Sequence, residues 1–371
     1  MELAIAGGGT GGHLYPGLAV AAAVKRANPQ AKITFYGTRR GIESRVLPGT
    51  GYGIRYISAQ GFLGKNRTAQ FFFPLYMMSG VIQSLFYLSK CRPDVILGTG
   101  GYVSAPPVMA AWILRIPISL LALDVMPSQA VRFLARFADR IYGGFPECSN
   151  YLDKSSRVLF TGNPIRPEIG NIPREKGVEK FDLNGNKRTI LVFGGSQGAH
   201  SINLAMLEVL KMLDQNGKLK DLQVIFQTGK NDREQISEAV KQYSAGIKVL
   251  AYIDQMPYAL AAADLVISRS GAGISETLAC GLPSILIPYP HAASNHQEYN
   301  ARSLEKAGAA EMILDQDMNG QVLAEKISDI LFDQKKYDLM AQAAKTLARP
   351  EAADKIADNI IRMTGKQCSE K

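Results

Sequence analysis

The sequence is poor in the side chains that most often mark chemistry. It holds four histidines and four cysteines in 371 residues. Cys91, Cys148, Cys280 and Cys368 are scattered, with no C-x-x-C pair and no metal-like spacing. That argues against a dithiol motif or a cysteine-bound metal, and it suits a reducing compartment where thiols fill cores. His291 and His296 stand five apart, which is not the spacing of paired ligands on a zinc helix. Neither glycine-rich loop carries a Gly-Lys-Ser/Thr ending, which disfavours a P-loop NTPase, and no G-x-S-x-G elbow marks a serine hydrolase. No leader-like stretch precedes the first apolar run, so the expected site of action is the cytoplasm. An uncharged run of 22 residues extends from Thr68 to Ser89. Its length is enough to consider a membrane span. Gln70, Pro74, Ser79, Gly80, Gln83 and Ser84 interrupt it, and it lies inside an alternation of strands and helices that must stay on one side of a bilayer. The expectation is a loop and helix whose aromatics dip into an interface beside Lys65 and Arg67; the plain alternative is a hydrophobic core helix.

What is present fits a globular α/β protein large enough for two domains. Apolar residues make up 46% of the chain and charged ones 20%, which excludes wholesale disorder. The net charge is +9, unevenly spread: residues 1–160 carry 17 Lys and Arg against 7 Asp and Glu, and the rest 25 against 26. A basic first half points to an anionic partner (nucleic acid, a membrane surface or a phosphorylated substrate) or simply to a solubilising surface.

Two stretches share one design. Ala4-Ile5-Ala6-Gly7-Gly8-Gly9-Thr10-Gly11-Gly12-His13 reads as a strand, a glycine loop and the start of an Ala-rich helix near 16–27. Thr189-Ile190-Leu191-Val192-Phe193-Gly194-Gly195-Ser196-Gln197-Gly198 repeats it in the second half. Glycines let such a loop turn and bring its N–H groups close to a ligand, and the following helix aims its positive end at that place. Taken alone, Gly7-x-Gly9-x-x-Gly12 is a dinucleotide fingerprint. The second strand, near 32–37, then runs into Thr38-Arg39-Arg40 with no carboxylate for a ribose, though Arg39 suits a 2′-phosphate, so an NADP oxidoreductase stays open. Further strands are expected near 95–98, 117–123, 189–193, 223–228, 248–251, 264–268 and 284–288. Helices are expected near 105–114, 201–213, beyond 321 and over 351–363. Arg132, Arg136 and Arg140 fall at helical spacing and predict one basic face. Thr161-Gly162-Asn163-Pro164-Ile165-Arg166-Pro167 reads as a hinge, giving domains over 1–161 and 162–348 and a C-terminal helix over 349–371 returning to the first domain.

Five pieces in order resemble the MurG family of glycosyltransferases. They are Gly8–His13 with Pro16-Gly17-Leu18-Ala19, Gly100-Gly101-Tyr102-Val103-Ser104, Gly162–Arg166, Gly194–Ala199, and Asn295-His296-Gln297-Glu298-x-Asn300-Ala301. The resemblance covers nearly the whole chain. It implies a GT-B fold, two Rossmann-like domains with the active site in the cleft. It implies inverting transfer of N-acetylglucosamine from UDP-GlcNAc to the C4 hydroxyl of the muramyl sugar of lipid I, giving lipid II, at the cytoplasmic face of the plasma membrane. The implied partners are the donor, the polyprenyl-pyrophosphate acceptor and an anionic membrane surface, with no nucleic acid and no cofactor or metal.

The resemblance also implies roles. Glu276 would hold the donor ribose. Ser196, Gln197, Gly198 and Arg166 would take its diphosphate, with Gly273, Ile274 and Ser275 close by. Backbone groups of Ile253 would meet the uracil, and Gln297 the sugar. Thr10, Gly11, Gly12, Tyr102 and Asp124 would line the acceptor side, and Lys65, Arg67, Phe71, Phe72 and Phe73 would touch the membrane. His13 is the base candidate, since imidazole titrates near neutrality; the plain alternative is a histidine that caps its helix. The chain departs from the family pattern in three places. Leu121-Ala122-Leu123-Asp124 stands where the pattern has His-Glu-x-Asn, the Arg269–Glu276 loop is one residue shorter, and Pro127-Ser128 replaces Pro-Gly. These bear most on the acceptor. A related transferase with another acceptor, or a UDP-sugar-binding protein without turnover, stays open.

Overall fold

The computed structural model describes residues 1–61, 73–153, 157–195 and 197–366. Two compact units divide them: Met1–Arg166 with Arg349–Lys371, and Pro167–Ala348.

The first unit is built on a seven-stranded sheet in the order β3-β2-β1-β4-β5-β6-β7. Its strands are β1 (Glu2–Ala6), β2 (Lys32–Gly37), β3 (Gly53–Tyr56), β4 (Val95–Gly98), β5 (Ile118–Ala122), β6 (Arg140–Gly143) and β7 (Val158–Phe160). Every pairing is parallel. Central strands such as β4 and β5 are buried along their whole length, which is why they read as unbroken apolar runs. The helices are α1 (Gly11–Ala27), α2 (Glu43–Val46), α3 (Phe73–Cys91), α4 (Gly101–Ile113) and α5 (Gln129–Leu134). Gly17 lets α1 lie close on the sheet, because a Cβ there would come within 3.2 Å of Ile5 Cγ2.

The second unit repeats the plan with six parallel strands in the order β10-β9-β8-β11-β12-β13. They are β8 (Arg188–Phe193), β9 (Leu222–Gln227), β10 (Ile247–Leu250), β11 (Leu265–Ser268), β12 (Ser284–Leu286) and β13 (Ala310–Met312). Its helices are α6 (Arg174–Lys180), α7 (His200–Gln215), α8 (Arg233–Ala239), α9 (Met256–Ala262), α10 (Ile274–Ala279), α11 (His296–Lys306), α12 (Gly320–Leu331) and α13 (Gln334–Leu347). The last helix, α14 (Ala352–Lys366), belongs to the first unit. Its Ile356 and Ile360 share a core with Leu3, Val20 and Val24, and Arg26 pairs with Asp354 at 2.6 Å.

Some expectations fail for local reasons. Helix α1 starts at Gly11, not near 16, so Pro16 sits inside it with no N–H to offer the Gly12 carbonyl. His13 therefore belongs to a helix's first turn rather than to a loop. The three-arginine helical face does not exist: α5 ends at Leu134, and Arg140 opens β6. Arg136 instead pairs with Asp153 at 3.1 Å. Over its described residues the uncharged run is a helix with one face in the core and one exposed, not a wholly buried helix. Gly80, Ser84 and Leu88 form the inner face of α3, while Leu75, Tyr76, Met78, Ile82 and Phe86 are exposed, Ile82 by 60%. Among the described residues, no helix is long and apolar enough to cross a membrane.

Candidate active site

In an all-parallel sheet, the loops leaving the strands' C-terminal ends open on one edge. β1 and β4 are neighbours although β2 and β3 separate them in the chain, so the order reverses between them. That is where open α/β sheets bind ligands. The loop after β1 and the turn after β4 meet there through His13. A Cβ at Gly100 would lie 3.0 Å from His13 Cδ2, and one at Gly101 would lie 3.0 Å from Nδ1. The imidazole thus rests on backbone that only glycine leaves bare, and both glycines also have positive φ. Thr10 Oγ1 and His13 Nδ1 are 3.2 Å apart.

Tyr102 follows at the start of α4. Its ring covers Gly9 and Gly61, whose Cβ atoms would lie 3.4 and 3.3 Å from it. Burial, and then the Glu43 carboxylate, hold the Tyr102 phenol above its ordinary value, against a hydrogen bond with Thr38. Gly11 and Gly12 head α1, with Thr10 at its N-cap. Asp124 follows β5 at the same edge and is half-buried. The Asn163 amide donates to the Leu123 carbonyl at 2.8 Å, which ties the 162–166 segment to that edge. Arg166, expected with the donor group, lies in the first unit, its guanidinium 5.0 Å over the Tyr15 ring of α1.

The second unit gathers most of the other expected residues at its own reversal, between β8 and β11. The loop after β8 has Gly195 at φ +93, exposed, where an added Cβ would meet nothing within 4 Å. Gly198 is packed tightly; its Cβ would lie 2.0 Å from the Thr228 carbonyl oxygen. Gln197 is exposed beside it. Gln227, at the end of β9, links two backbone groups: its amide donates to the Gly195 carbonyl at 2.7 Å and its oxygen accepts from the Ile253 N–H at 2.9 Å. The Ile253 N–H is therefore already engaged. Gly273 abuts the Phe193 ring, a Cβ there lying 3.6 Å away, and Ile274, Ser275 and Glu276 form the first turn of α10. Ser270 Oγ donates to the Gln297 carbonyl at 2.7 Å, and the Asn300 amide donates to the Ser270 carbonyl at 3.0 Å. These bonds clamp α11 to the loop after β11, so that Gln297 Nε2 would be 3.8 Å from a Cβ on Gly271. The Gln297 oxygen accepts from the Tyr289 N–H at 2.9 Å. Ser196, Lys65, Arg67, Phe71 and Phe72 lie outside the described residues, and Phe73 is described only as the first residue of α3.

Sequence reasoning missed Glu43, Gln227 and Ser270, and gave Asn300, though part of a motif, no role. All four are buried or half-buried polar groups that shape the loops from behind. Gln227 did carry a signal, a polar residue ending the apolar run Leu222–Phe226. Glu43 is fully buried, and its Oε2 accepts the Gly9 N–H at 2.7 Å. The N–H of the middle glycine of the apparent dinucleotide fingerprint is thus satisfied from inside and is not offered to a phosphate. Among the described residues, no group of three or more His, Cys, Asp or Glu could hold a metal.

Comparison with known proteins finds two family domains along the chain. Residues 3–143 match the glycosyltransferase family 28 N-terminal domain, and residues 189–356 match the glycosyltransferase family 28 C-terminal domain. The UDP-N-acetylglucosamine--N-acetylmuramyl-(pentapeptide) pyrophosphoryl-undecaprenol N-acetylglucosamine transferase of Geobacter sulfurreducens is 42% identical over 99% of this chain and 100% of its own. The enzyme of that name from Desulfitobacterium hafniense is 42% identical over 96% of this chain and 98% of its own. The crystal structure of Acinetobacter baumannii MurG superposes with a TM-score of 0.75 at 26% identity, covering 97% of this chain and 99% of that one. Two parallel Rossmann-like sheets with these matches make the fold GT-B. The chain belongs to glycosyltransferase family 28, within its MurG branch of N-acetylglucosamine transferases.

Proposed function

We propose that this chain transfers N-acetylglucosamine from UDP-GlcNAc to the lipid-linked N-acetylmuramyl-pentapeptide, releasing UDP. The observation that carries the reading is similarity over the full length, at 42% identity, to relatives named for that transfer. The contrast between the two glycine loops supports the division of labour. Gly195 is open, whereas the Gly9 N–H is taken by Glu43. The second unit accordingly takes the donor and the first the acceptor.

In the second unit, Glu276 accepts hydrogen bonds from the ribose hydroxyls, the Ile253 carbonyl meets the uracil, and Gln297 meets the sugar. The Gly195–Gly198 backbone with Ser196 and the positive end of α7 stabilise the diphosphate as charge builds on it. In the first unit, His13 Nε2 takes the proton of the muramyl C4 hydroxyl. The oxygen then bonds to the donor's anomeric carbon from the face opposite UDP, and the carbon–oxygen bond to UDP breaks with its electron pair leaving on UDP. Such inversion needs a placed base, worth about 10²–10⁴-fold. Gly11 and Gly12 at the head of α1 approach the acceptor's pyrophosphate. The exposed apolar stripe on α3, in the more basic half of the chain, seats the protein on an anionic bilayer at its cytoplasmic face.

The test is product identity. Protein, UDP-GlcNAc and the lipid-linked muramyl acceptor should give acceptor heavier by one N-acetylhexosamine residue. Acceptor recovered unchanged, with active donor in excess, contradicts the proposal.

A further inference from the structure

The first glycine loop is dense in glycine for a reason internal to the protein. Glu43 opens the single turn of α2, and its carboxylate reaches back beneath the loop. Oε2 accepts the Gly9 N–H at 2.7 Å. Oε1 accepts the Thr38 N–H at 2.7 Å and the Thr38 hydroxyl at 2.9 Å. The side chain is fully buried, with no cation among these partners. Three glycines make room for it. A Cβ at Gly8 would lie 2.4 Å from the Glu43 carboxyl carbon, one at Gly41 2.1 Å from Oε2, and one at Gly37 2.5 Å from Cγ. A buried carboxylate is costly unless its oxygens are hydrogen-bonded, and this one is held by three donors from two loops. It joins the end of β2 to the loop after β1.

The next links lead into the site. Gly9 has φ +81, and its N–H is the one Glu43 holds. Thr10 follows, at the N-cap position of α1, with its hydroxyl 3.2 Å from His13 Nδ1. The Tyr102 ring lies against Gly9, and Thr38 and Glu43 both act on its phenol. We propose that Glu43 is a positioning residue for the transfer. Its carboxylate fixes Gly9, and through Gly9 the placement of Thr10, His13 and Tyr102 on the acceptor side. This rests on the transferase reading for its kinetics but not for its geometry.

The experiment compares wild type, Glu43→Gln, Glu43→Ala, Gly41→Ala and the Gly41→Ala/Glu43→Ala double variant. Glutamine keeps the shape but offers one acceptor oxygen where two are used, so it cannot hold both loops. Acceptor-dependent UDP release should fall in kcat by roughly tenfold or more for both Glu43 variants, because a buried N–H loses its acceptor. The donor KM should stay within about twofold, since the donor loops belong to the other unit. Gly41→Ala should lower kcat alone, but add little to Glu43→Ala, where the obstructed carboxylate is gone. Parallel loss of donor affinity and kcat, or Gly41→Ala adding in full to Glu43→Ala, would make Glu43 structural only. Imidazole NMR signals of His13 give a readout independent of turnover. Displacement of those signals in Glu43→Gln is expected; signals unmoved would overturn the positioning. If wild type releases no UDP yet the signals move, the positioning holds and the transferase reading fails.

Discussion

Replacing Gln227 by leucine tests whether the donor loops are shaped from behind. Leucine fills similar space but neither donates nor accepts. The Ile253 N–H then loses its acceptor, and Ile253 is only 3% exposed. A buried donor left unsatisfied costs about 1–3 kcal/mol. The Gly195 carbonyl also loses a donor, but Gly195 is exposed and water can replace it at small cost. The chain can relieve the penalty only by moving the segment at 253 or the loop at 195. Either move depopulates the shape that receives UDP, and apparent affinity falls with the competent fraction. The donor KM should therefore rise by roughly 5- to 150-fold, the equivalent of that penalty, with kcat at saturating donor nearly unchanged. Initial rates of UDP release against UDP-GlcNAc concentration would measure it, alongside thermal unfolding. A lower Tm with an unchanged donor KM would refute the argument, because the bridge would then support the fold and not the site.

Three other outcomes follow from the same structure. His13→Ala should lower turnover by about 10²–10⁴-fold while donor KM stays near wild type; unchanged turnover would remove it as the base. Replacing Leu75, Met78 and Ile82 together with serine should weaken sedimentation with anionic liposomes and leave the circular dichroism spectrum intact, since all three side chains point outward. Undiminished sedimentation would separate α3 from membrane binding. Cys148 is buried, and burial pushes its thiol up to about 11. It should resist alkylation at pH 8 until the protein is unfolded, and labelling in the folded state, followed by peptide mass, would show that the segment between β6 and β7 opens.

The sheets were legible because a parallel strand buried on both faces is an unbroken apolar run. Leu3–Ala6, Val95–Leu97 and Ile190–Val192 stand out for that reason. The short edge strands β3, β7 and β13 did not, being only partly buried and three or four residues long. The start of α1 is misread because Pro16 resembles a first-turn proline, whereas the helix begins one turn earlier, at Gly11, and Pro16 lies inside it. The paired glycine loops could be found from sequence, but what each holds could not. A carboxylate 34 residues away fills the first, and a glutamine from β9 braces the second. Those contacts arise only when distant strands become neighbours. For the same reason Arg166, read as part of the donor group, proved to rest on Tyr15 in the first unit.

Coupled turnover tests the transferase reading most directly. UDP release should be measured from purified protein and UDP-GlcNAc, with and without a soluble analogue of the lipid-linked acceptor. Release that rises with analogue concentration and saturates is the predicted result, and it would show that Asp124 at the end of β5 is compatible with that acceptor. UDP release that ignores the analogue, or donor binding with no release at all, would contradict the transferase reading.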